Sequence, residues 1–439
     1  MYEQAIEIQA RLSHNLIRPG KQGMVWVVFE LKTGTARARV GQERLPLNLA
    51  LVLDRSGSMS GEPLEFVKQA SRFVVQQMAP KDHLSLVTFC DEVEVPCPSQ
   101  PVVNKDILKS LIDSITSGGA TNLSGGLLRG YQEAGKCPKS ESSQAQVNRV
   151  ILLTDGAANV GITSPEVLTA KVQSMAEKGV SVSTVGVGAG FNEDLLTALS
   201  DAGRGNFYYV KNPDEIPKVF AQELQGLLSI VAQGIRVKLE TPGLCNLACV
   251  LGYEPVTEDG GVTLHLPDMF ENETKVMVVG IENPDFDVGV HDIVTISGEY
   301  ADALGDLDSV QFRVNVKIPV QEGSAEEHRP VIDVLKIVEL TRTAVAKDQV
   351  VDAMDRGDYE GGKAVLEERL SALEKLAEAF GGQNAEVNDE VGRIRTQIDR
   401  LQALPDDSIF RHQPSMGQTL LRKDLVHDSF TRRRSRPKS

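Results

Sequence analysis

The 439-residue sequence predicts an α/β fold: a doubly wound, mostly parallel sheet inserted in an antiparallel β-sandwich and followed by a C-terminal helical hairpin or bundle. Three observations carry this reading. Apolar runs alternate with helical stretches across residues 46–228. Apolar and polar residues alternate with a period of two on both sides of that region, in 1–45 and 229–320. Apolar residues recur every three or four positions across 330–404.

In residues 1–45, Val25, Val27, Phe29 and Leu31 alternate with Trp26, Val28 and Glu30, which is a strand period. In 46–228, the runs Leu47–Leu53, Leu84–Phe89, Val150–Leu153 and Val180–Val187 read as buried strands. Helical stretches lie between them at Leu64–Met78, Ile107–Ile115, Leu123–Ala134, Pro165–Glu177 and Glu193–Leu199. Pro63 and Pro165 stand where a first helical turn begins, a position that does not need their missing N–H. Strands alternating with helices imply a mostly parallel sheet covered on both faces.

In 229–320, Ile235, Val237 and Leu239 alternate with Arg236, Lys238 and Glu240, and Phe312, Val314, Val316 and Ile318 do the same with charged and polar neighbours. Such runs, separated by Gly, Pro, Asp and Asn turns, indicate an antiparallel sandwich. The strands of 1–45 have no place in the α/β unit and are expected to pair into this sandwich. In 330–404, Leu366, Leu370, Leu373, Ala377 and Phe380 form one seam and Val391, Ile394, Ile398 and Leu401 another, with Gly381-Gly382 between them. That pattern predicts an antiparallel hairpin with an earlier helix, Val331–Met354, packed on it. Residues 405–439 lack periodicity and are expected to form a basic, disordered tail.

The net charge is −15, and the tail from Pro405 carries eight basic and four acidic residues, which leaves −19 on the first 404. A body this acidic repels nucleic acid and excludes a binder of phosphate backbones. No run reaches the roughly 18–20 apolar residues that span a bilayer, so no membrane span is expected. Met1–Ala10 contains Glu3 and Glu7 and no apolar core of a signal peptide. Cys90, Cys97, Cys137, Cys245 and Cys249 are odd in number and form no CxxC pair. They read as reduced structural thiols, with a Cys90–Cys97 bridge as the alternative, and point to a cytoplasmic location.

The chemistry concentrates where Leu49-Ala50-Leu51-Val52-Leu53 runs into Asp54-Arg55-Ser56-Gly57-Ser58. Ligand sites of open parallel sheets lie at the carboxyl ends of strands, so Asp-x-Ser-x-Ser delivers three oxygen ligands where a site belongs. The loop Ser117-Gly118-Gly119-Ala120-Thr121-Asn122 offers another hydroxyl, and the strand Ile151–Thr154 ends in a second carboxylate, Asp155. Two carboxylates and three hydroxyls, without a soft ligand, suit a hard cation: Mg²⁺, with Mn²⁺ or Ca²⁺ as alternatives.

Asp54, Ser56, Ser58, Thr121 and Asp155, in that order on strand ends and loops, resemble the metal ion-dependent adhesion site of the von Willebrand factor A family, whose domain is Rossmann-like. Asp82–Phe89 and Val185–Asn192 resemble the family as well, and the likeness covers residues 46–228. The flanking sandwich and helices look more loosely like bacterial-type members. By this resemblance the two serines and the threonine touch the metal, the two aspartates act through water, and a partner's carboxylate completes the shell. A lone Asp-x-Ser-x-Ser is weak evidence; five matching positions in order are specific.

Other signals carry less. Gly186-x-Gly188-x-Gly190 lacks the spacing of a dinucleotide loop, and Gly57–Gly61 centres on Met59 rather than a nucleophilic serine. A hydrolytic metal site needs a free base, and the metal would commit both aspartates. The expectation is therefore a metal-dependent protein-interaction module and no enzyme. Family members also imply two alternatives: an adaptor for a separate MoxR-type AAA+ ATPase or kinase-linked assembly, and an exported adhesin or membrane-associated protein. Arg55 can either steer a partner's carboxylate inward or pair with a neighbouring acid.

Overall fold

The computed structural model describes residues 5–20, 23–34, 44–137, 146–156, 158–243, 245–253, 255–258, 261–283, 285–303, 308–324, 326–403 and 416–434. The chain opens with β1 (Ile6–Leu12) and β2 (Gly23–Thr33), an antiparallel pair with Ile6 opposite Thr33. It then enters the α/β unit through β3 (Leu47–Asp54), α1 (Glu62–Gln77), β4 (His83–Phe89) and β5 (Val93–Pro101). The unit continues with α2 (Lys105–Asp113), α3 (Leu123–Gly135), β6 (Val147–Thr154), α4 (Pro165–Glu177) and β7 (Val180–Val187). It closes with α5 (Glu193–Ala202), β8 (Arg204–Val210) and α6 (Ile216–Leu228).

The strand order is β5-β4-β3-β6-β7-β8, parallel except for the antiparallel β4–β5 pair. Every residue of β3 is buried because both faces of the sheet are covered. Ala50 and Val52 pack towards Leu127, Leu168 and Leu195 of α3, α4 and α5. Leu49, Leu51 and Leu53 pack towards Val67 and Val74 of α1 and Phe220 and Leu224 of α6. The apolar runs point to four strands; β5 and β8 are the two additions. β5 contains Pro96 and Pro98, which break the apolar pattern but are tolerated at a sheet edge, where an N–H is dispensable.

The sandwich follows as β9 (Ile230–Glu240), β10 (Asn246–Leu251), β11 (Val256–Glu258), β12 (Gly261–His265), β13 (Met269–Phe270), β14 (Thr274–Asn283), β15 (Gly289–Asp302) and β16 (Asp308–Val320). One sheet runs β1-β2-β14-β10; the other runs β11-β12-β9-β15-β16, with β13 also on β9. β2 pairs with β14 over ten residues, from Gly23 opposite Asn283 to Lys32 opposite Thr274. The N-terminal strands thus belong to the sandwich, and the α/β unit sits between β2 and β9 as an insertion. Val25, Val27, Phe29 and Leu31 face Val237, Leu239, Ile296 and Ile318 in its core.

A buried ion cluster ties the two units together. Arg149 of β6 is 1% exposed and donates to Asp268 Oδ2 of the sandwich at 2.9 Å and to Ser183 Oγ at 3.3 Å. Its Nε lies 3.9 Å from Glu223 Oε1 of α6. Glu223 also accepts from Asn206 and from the Tyr208 hydroxyl, at 2.9 and 2.7 Å. Burial pushes the Asp268 carboxyl up, and the Arg149 guanidinium opposes that shift.

Four helices complete the chain: α7 (Ile332–Asp355), α8 (Tyr359–Ala379), α9 (Ala385–Gln402) and α10 (Met416–Arg434). Leu366, Leu373 and Leu376 of α8 meet Val387, Val391, Ile394 and Ile398 of α9, and these join the same apolar cluster as α3, α4 and α5. The tail expected to be disordered is corrected here: residues 416–434 form α10, with Leu421 and Leu425 2% and 0% exposed. Apolar periodicity misses this helix because charged residues form much of its contact. Lys347 of α7, fully buried, pairs with Glu390 of α9 at 2.9 Å and with Asp428 of α10. Residues 405–415 and 435–439 of the tail, Ser435 and Arg436 included, lie outside the described residues. Among the described residues no helix is long and apolar enough to cross a membrane.

Replacing Arg149 by Met leaves two buried carboxylates without their cation. The expected loss is about 3–5 kcal/mol of unfolding free energy in urea. Adding Asp268→Asn to Arg149→Met is expected to recover part of it; a single variant as stable as wild type would contradict the role given to the cluster.

Candidate metal centre

β3 and β6 are adjacent and parallel, with Leu53 opposite Leu153, so they deliver Asp54 and Asp155 side by side at the carboxyl edge of the sheet. The strand order reverses between β3 and β6, which is where open α/β sheets form their crevice. Asp54 is fully buried, and its carboxylate is oriented before any ligand arrives. Oδ1 accepts the Ser56 N–H at 2.8 Å, and Oδ2 accepts the Thr154 hydroxyl at 2.5 Å. Ser56 begins a single 3₁₀ turn, Gly57–Met59, which brings its hydroxyl within 3.1 Å of the Ser58 hydroxyl. Ser58 donates in turn to Asp155 Oδ1 at 2.7 Å.

Thr121 arrives from a separate loop that is latched at four points. Gly118 N–H donates to Arg55 O at 2.8 Å and Gly57 N–H to Gly119 O at 3.0 Å. Asn122 N–H donates to Cys90 O at 2.8 Å, and Ala120 N–H to Asp91 Oδ1 at 2.7 Å. Gly119 has φ +81°, and a Cβ there would lie 2.4 Å from Asp91 Oδ2, so the loop needs glycine on both counts. Asn122 then caps α3 by accepting the Gly125 N–H at 3.0 Å. Thr121 is 4% exposed, and its hydroxyl stands 3.1 Å from where a Cβ of Gly156 would be. The threonine therefore abuts the residue that follows Asp155.

All five residues named from the sequence lie on this one edge: Asp54, Ser56, Ser58 and Asp155 in a continuous hydrogen-bonded chain, and Thr121 against Gly156. Burial raises the Asp54 carboxyl despite its donors. Asp155 is pushed up to about 6, by burial first and then by the Asp54 charge, against the Ser58 hydrogen bond. Arg55 does not relieve these charges: its guanidinium turns to Glu94 Oε1 of β5 at 2.9 Å. Of the two roles open to Arg55 from the sequence, the structure has the pairing with a neighbouring acid. Two contributors escaped sequence reasoning. Thr154 orients Asp54 and Asp91 fixes the threonine loop, and the only signal of either is its place, Thr154 at the end of β6 and Asp91 in the turn after β4.

The donors are carboxylates and hydroxyls, and among the described residues no group of three or more His, Cys, Asp or Glu side chains could hold a metal elsewhere. The cysteines of this chain are free thiols, Cys90 and Cys97 included.

Residues 48–222 match the family model of the von Willebrand factor type A domain. The chain carries a von Willebrand factor type A domain. Over 349 residues it is 28% identical to the uncharacterized protein sll0103 of Synechocystis, covering 76% of this chain and 80% of the relative. Over 222 residues it is 32% identical to the uncharacterized protein YfbK of Escherichia coli, covering 50% of this chain and 38% of that one. The von Willebrand factor type A structure from Catenulispora acidiphila superimposes with a TM-score of 0.70 at 15% identity, covering 97% of both chains. At that identity the likeness speaks for the fold, and it extends over sandwich and helices as well as the type A domain.

A pH dependence follows for the metal-free protein. The folded value of about 6 for Asp155 lies above its ordinary 3.8, so the folded state binds this proton more tightly than the unfolded state. Its contribution to stability is present at low pH, is lost as pH rises through about 4 to 6, and stays lost above. In chelator, Asp155→Asn is expected to be more stable than wild type by about 1–2 kcal/mol near neutral pH, with the difference vanishing near pH 4. Denaturation midpoints of the two proteins across pH check it; parallel profiles would contradict it.

Proposed function

We propose that this chain is a metal-dependent protein-interaction module, in which Asp54, Ser56, Ser58, Thr121 and Asp155 hold one divalent cation that grips a carboxylate of a partner protein. The observation that carries the reading is the chain of Asp54, Ser56, Ser58 and Asp155 at the carboxyl edge of the sheet. It joins two carboxylates, both raised by burial, and Arg55, next to Asp54 in the chain, pairs with Glu94 instead. A divalent cation relieves that charge and finds oxygen donors only, which favours Mg²⁺, with Mn²⁺ or Ca²⁺ as substitutes. When bound it supplies an electrophilic position for an anionic ligand.

The residues of the chain do the rest. Thr154 and the Ser56 amide hold Asp54 in place, and the latched loop holds Thr121. Glu94 engages the Arg55 guanidinium, so this arginine does not compete with the cation. In this reading both Asp54 and Asp155 serve the cation and neither is free to act as a general base, so we read the protein as a binder rather than a catalyst. Free thiols, four buried and Cys249 half-buried, favour a cytoplasmic setting. The module reading leaves the partner to be found by experiment, a separate AAA+ ATPase or kinase included.

A tagged pull-down from native extract, with wild type and Asp54→Ala, each in Mg²⁺ and in EDTA, tests the reading. Proteins retained by wild type in Mg²⁺ and depleted at least about tenfold in the other three lanes are expected, because loss of a charged metal ligand removes more than about 1.4 kcal/mol of binding. The same proteins in every lane would place the binding surface elsewhere.

A further inference from the structure

The C-terminal helix α10 is far from the metal loops in sequence but touches the segment that supports one of them. Lys423 is 1% exposed; its ammonium donates to Phe191 O at 2.7 Å and to Glu193 Oε2 at 2.9 Å, and sits 3.4 Å above the Phe191 ring. Arg422 beside it pairs with Glu193, with Asp194 at 2.6 Å, and with Asp355 of α7 at 2.6 Å. The His427 ring lies edge-on to Phe207 and Tyr209 of β8, at 6.3 and 6.2 Å. Phe191 contacts the same two rings, at 6.3 and 5.9 Å. One side of residues 190–193 is therefore fixed by α10. On the other side Gly190 lies so close to Asp155 that a Cβ there would be 2.6 Å from the Asp155 carbonyl oxygen. The segment is wedged between a tail helix and the backbone of a proposed metal ligand.

We propose that α10 is an intramolecular brace for the metal centre: its docking on Phe191 and Glu193 holds Gly190 against Asp155, and docking and cation binding therefore strengthen each other. The inference rests on the metal reading of the site. Lys423 and Arg422 are positioning residues in it; neither approaches the cation ligands directly. Two features fit α10 for such a role. Its grip on the type A domain includes the buried Lys423–Glu193 pair, and a buried cation on a buried carboxylate either docks with its partner or not at all. Its apolar residues Leu421, Leu425 and Val426, and Asp428 paired with Lys347 of α7, anchor it on the helical bundle, so it can hold the segment behind Asp155 against a fixed support. Coupling of this kind is reciprocal: whatever release of α10 does to the cation affinity, loss of the cation does to the docking of α10.

The test uses the full chain as wild type, Lys423→Met and Arg422→Ala, the second as a milder change at a partly exposed residue, with Asp54→Ala as the site control. Free Mn²⁺ is measured by electron paramagnetic resonance, and amide exchange is followed by mass spectrometry with and without Mn²⁺. Faster exchange is expected in both variants across α10 and residues 188–193, with the sandwich unchanged, and a Mn²⁺ affinity about five- to tenfold weaker than wild type. Mn²⁺ is expected to slow exchange of α10 in wild type and not in Asp54→Ala. Mn²⁺ affinity within about twofold of wild type, while α10 exchanges freely, overturns the brace and leaves the metal reading standing. A wild type that binds Mn²⁺ no better than Asp54→Ala overturns the metal reading, and the brace with it.

Discussion

Asp54 and Asp155 stand at the ends of neighbouring buried strands, and the protein surrounds them with hydroxyl and amide donors, while Arg55 beside Asp54 pairs with Glu94 instead. Burial in a poorly solvated crevice raises both carboxyls, and the Asp54 charge adds to it at Asp155, which is pushed up to about 6. Much of the local architecture serves to hold this arrangement. Thr154 and the Ser56 amide bond to Asp54, Ser58 bonds to Asp155, and the Gly118–Gly119 loop is latched to Arg55 and Gly57. Sites that bind hard cations tightly are pre-formed in this way, because ligands already in place lose little freedom when the ion arrives.

The same logic reaches the periphery. Arg149 cements the type A domain to the sandwich through Asp268 and joins both to α6 through Glu223. α6 leads directly into β9, with Leu228 and Ile230 separated by Ser229 alone. A displacement at the carboxyl edge of the type A sheet that moved α6 would therefore load this buried ion cluster rather than a slack linker. On the opposite flank α10 closes the segment behind Asp155. Both flanks use buried ion pairs, which are specific in geometry and intolerant of losing one partner.

The sequence was most informative where chemistry and periodicity coincide. An unbroken apolar strand that ends in a carboxylate cannot be a surface loop, so Leu49–Asp54 and Ile151–Asp155 marked the edge, and the glycines of 117–122 marked a loop that has to pass close to backbone. Period-two alternation placed Val25–Leu31 in the sandwich despite the long stretch of chain, Gly34 to Glu273, that separates it from its β14 partner. It failed for β5, where prolines interrupt the pattern, and this hid the orientation of Arg55, whose partner Glu94 belongs to that strand. It failed for α10 too. There Lys423 and Asp428 make buried ion pairs, and a reading that scores charge as exposure takes such a helix for a solvated tail. Thr154 and Asp91 are ordinary residues in sequence, and only the hydrogen bonds give them roles.

The central claim is that these five side chains surround one divalent cation. The most direct measurement is an anomalous difference map from crystals grown in Mn²⁺. A single strong peak among the Ser56, Ser58 and Thr121 hydroxyls, absent in Asp54→Ala, is the predicted result. A map with no peak at that edge, or with Mn²⁺ bound only elsewhere on the molecule, would contradict the account.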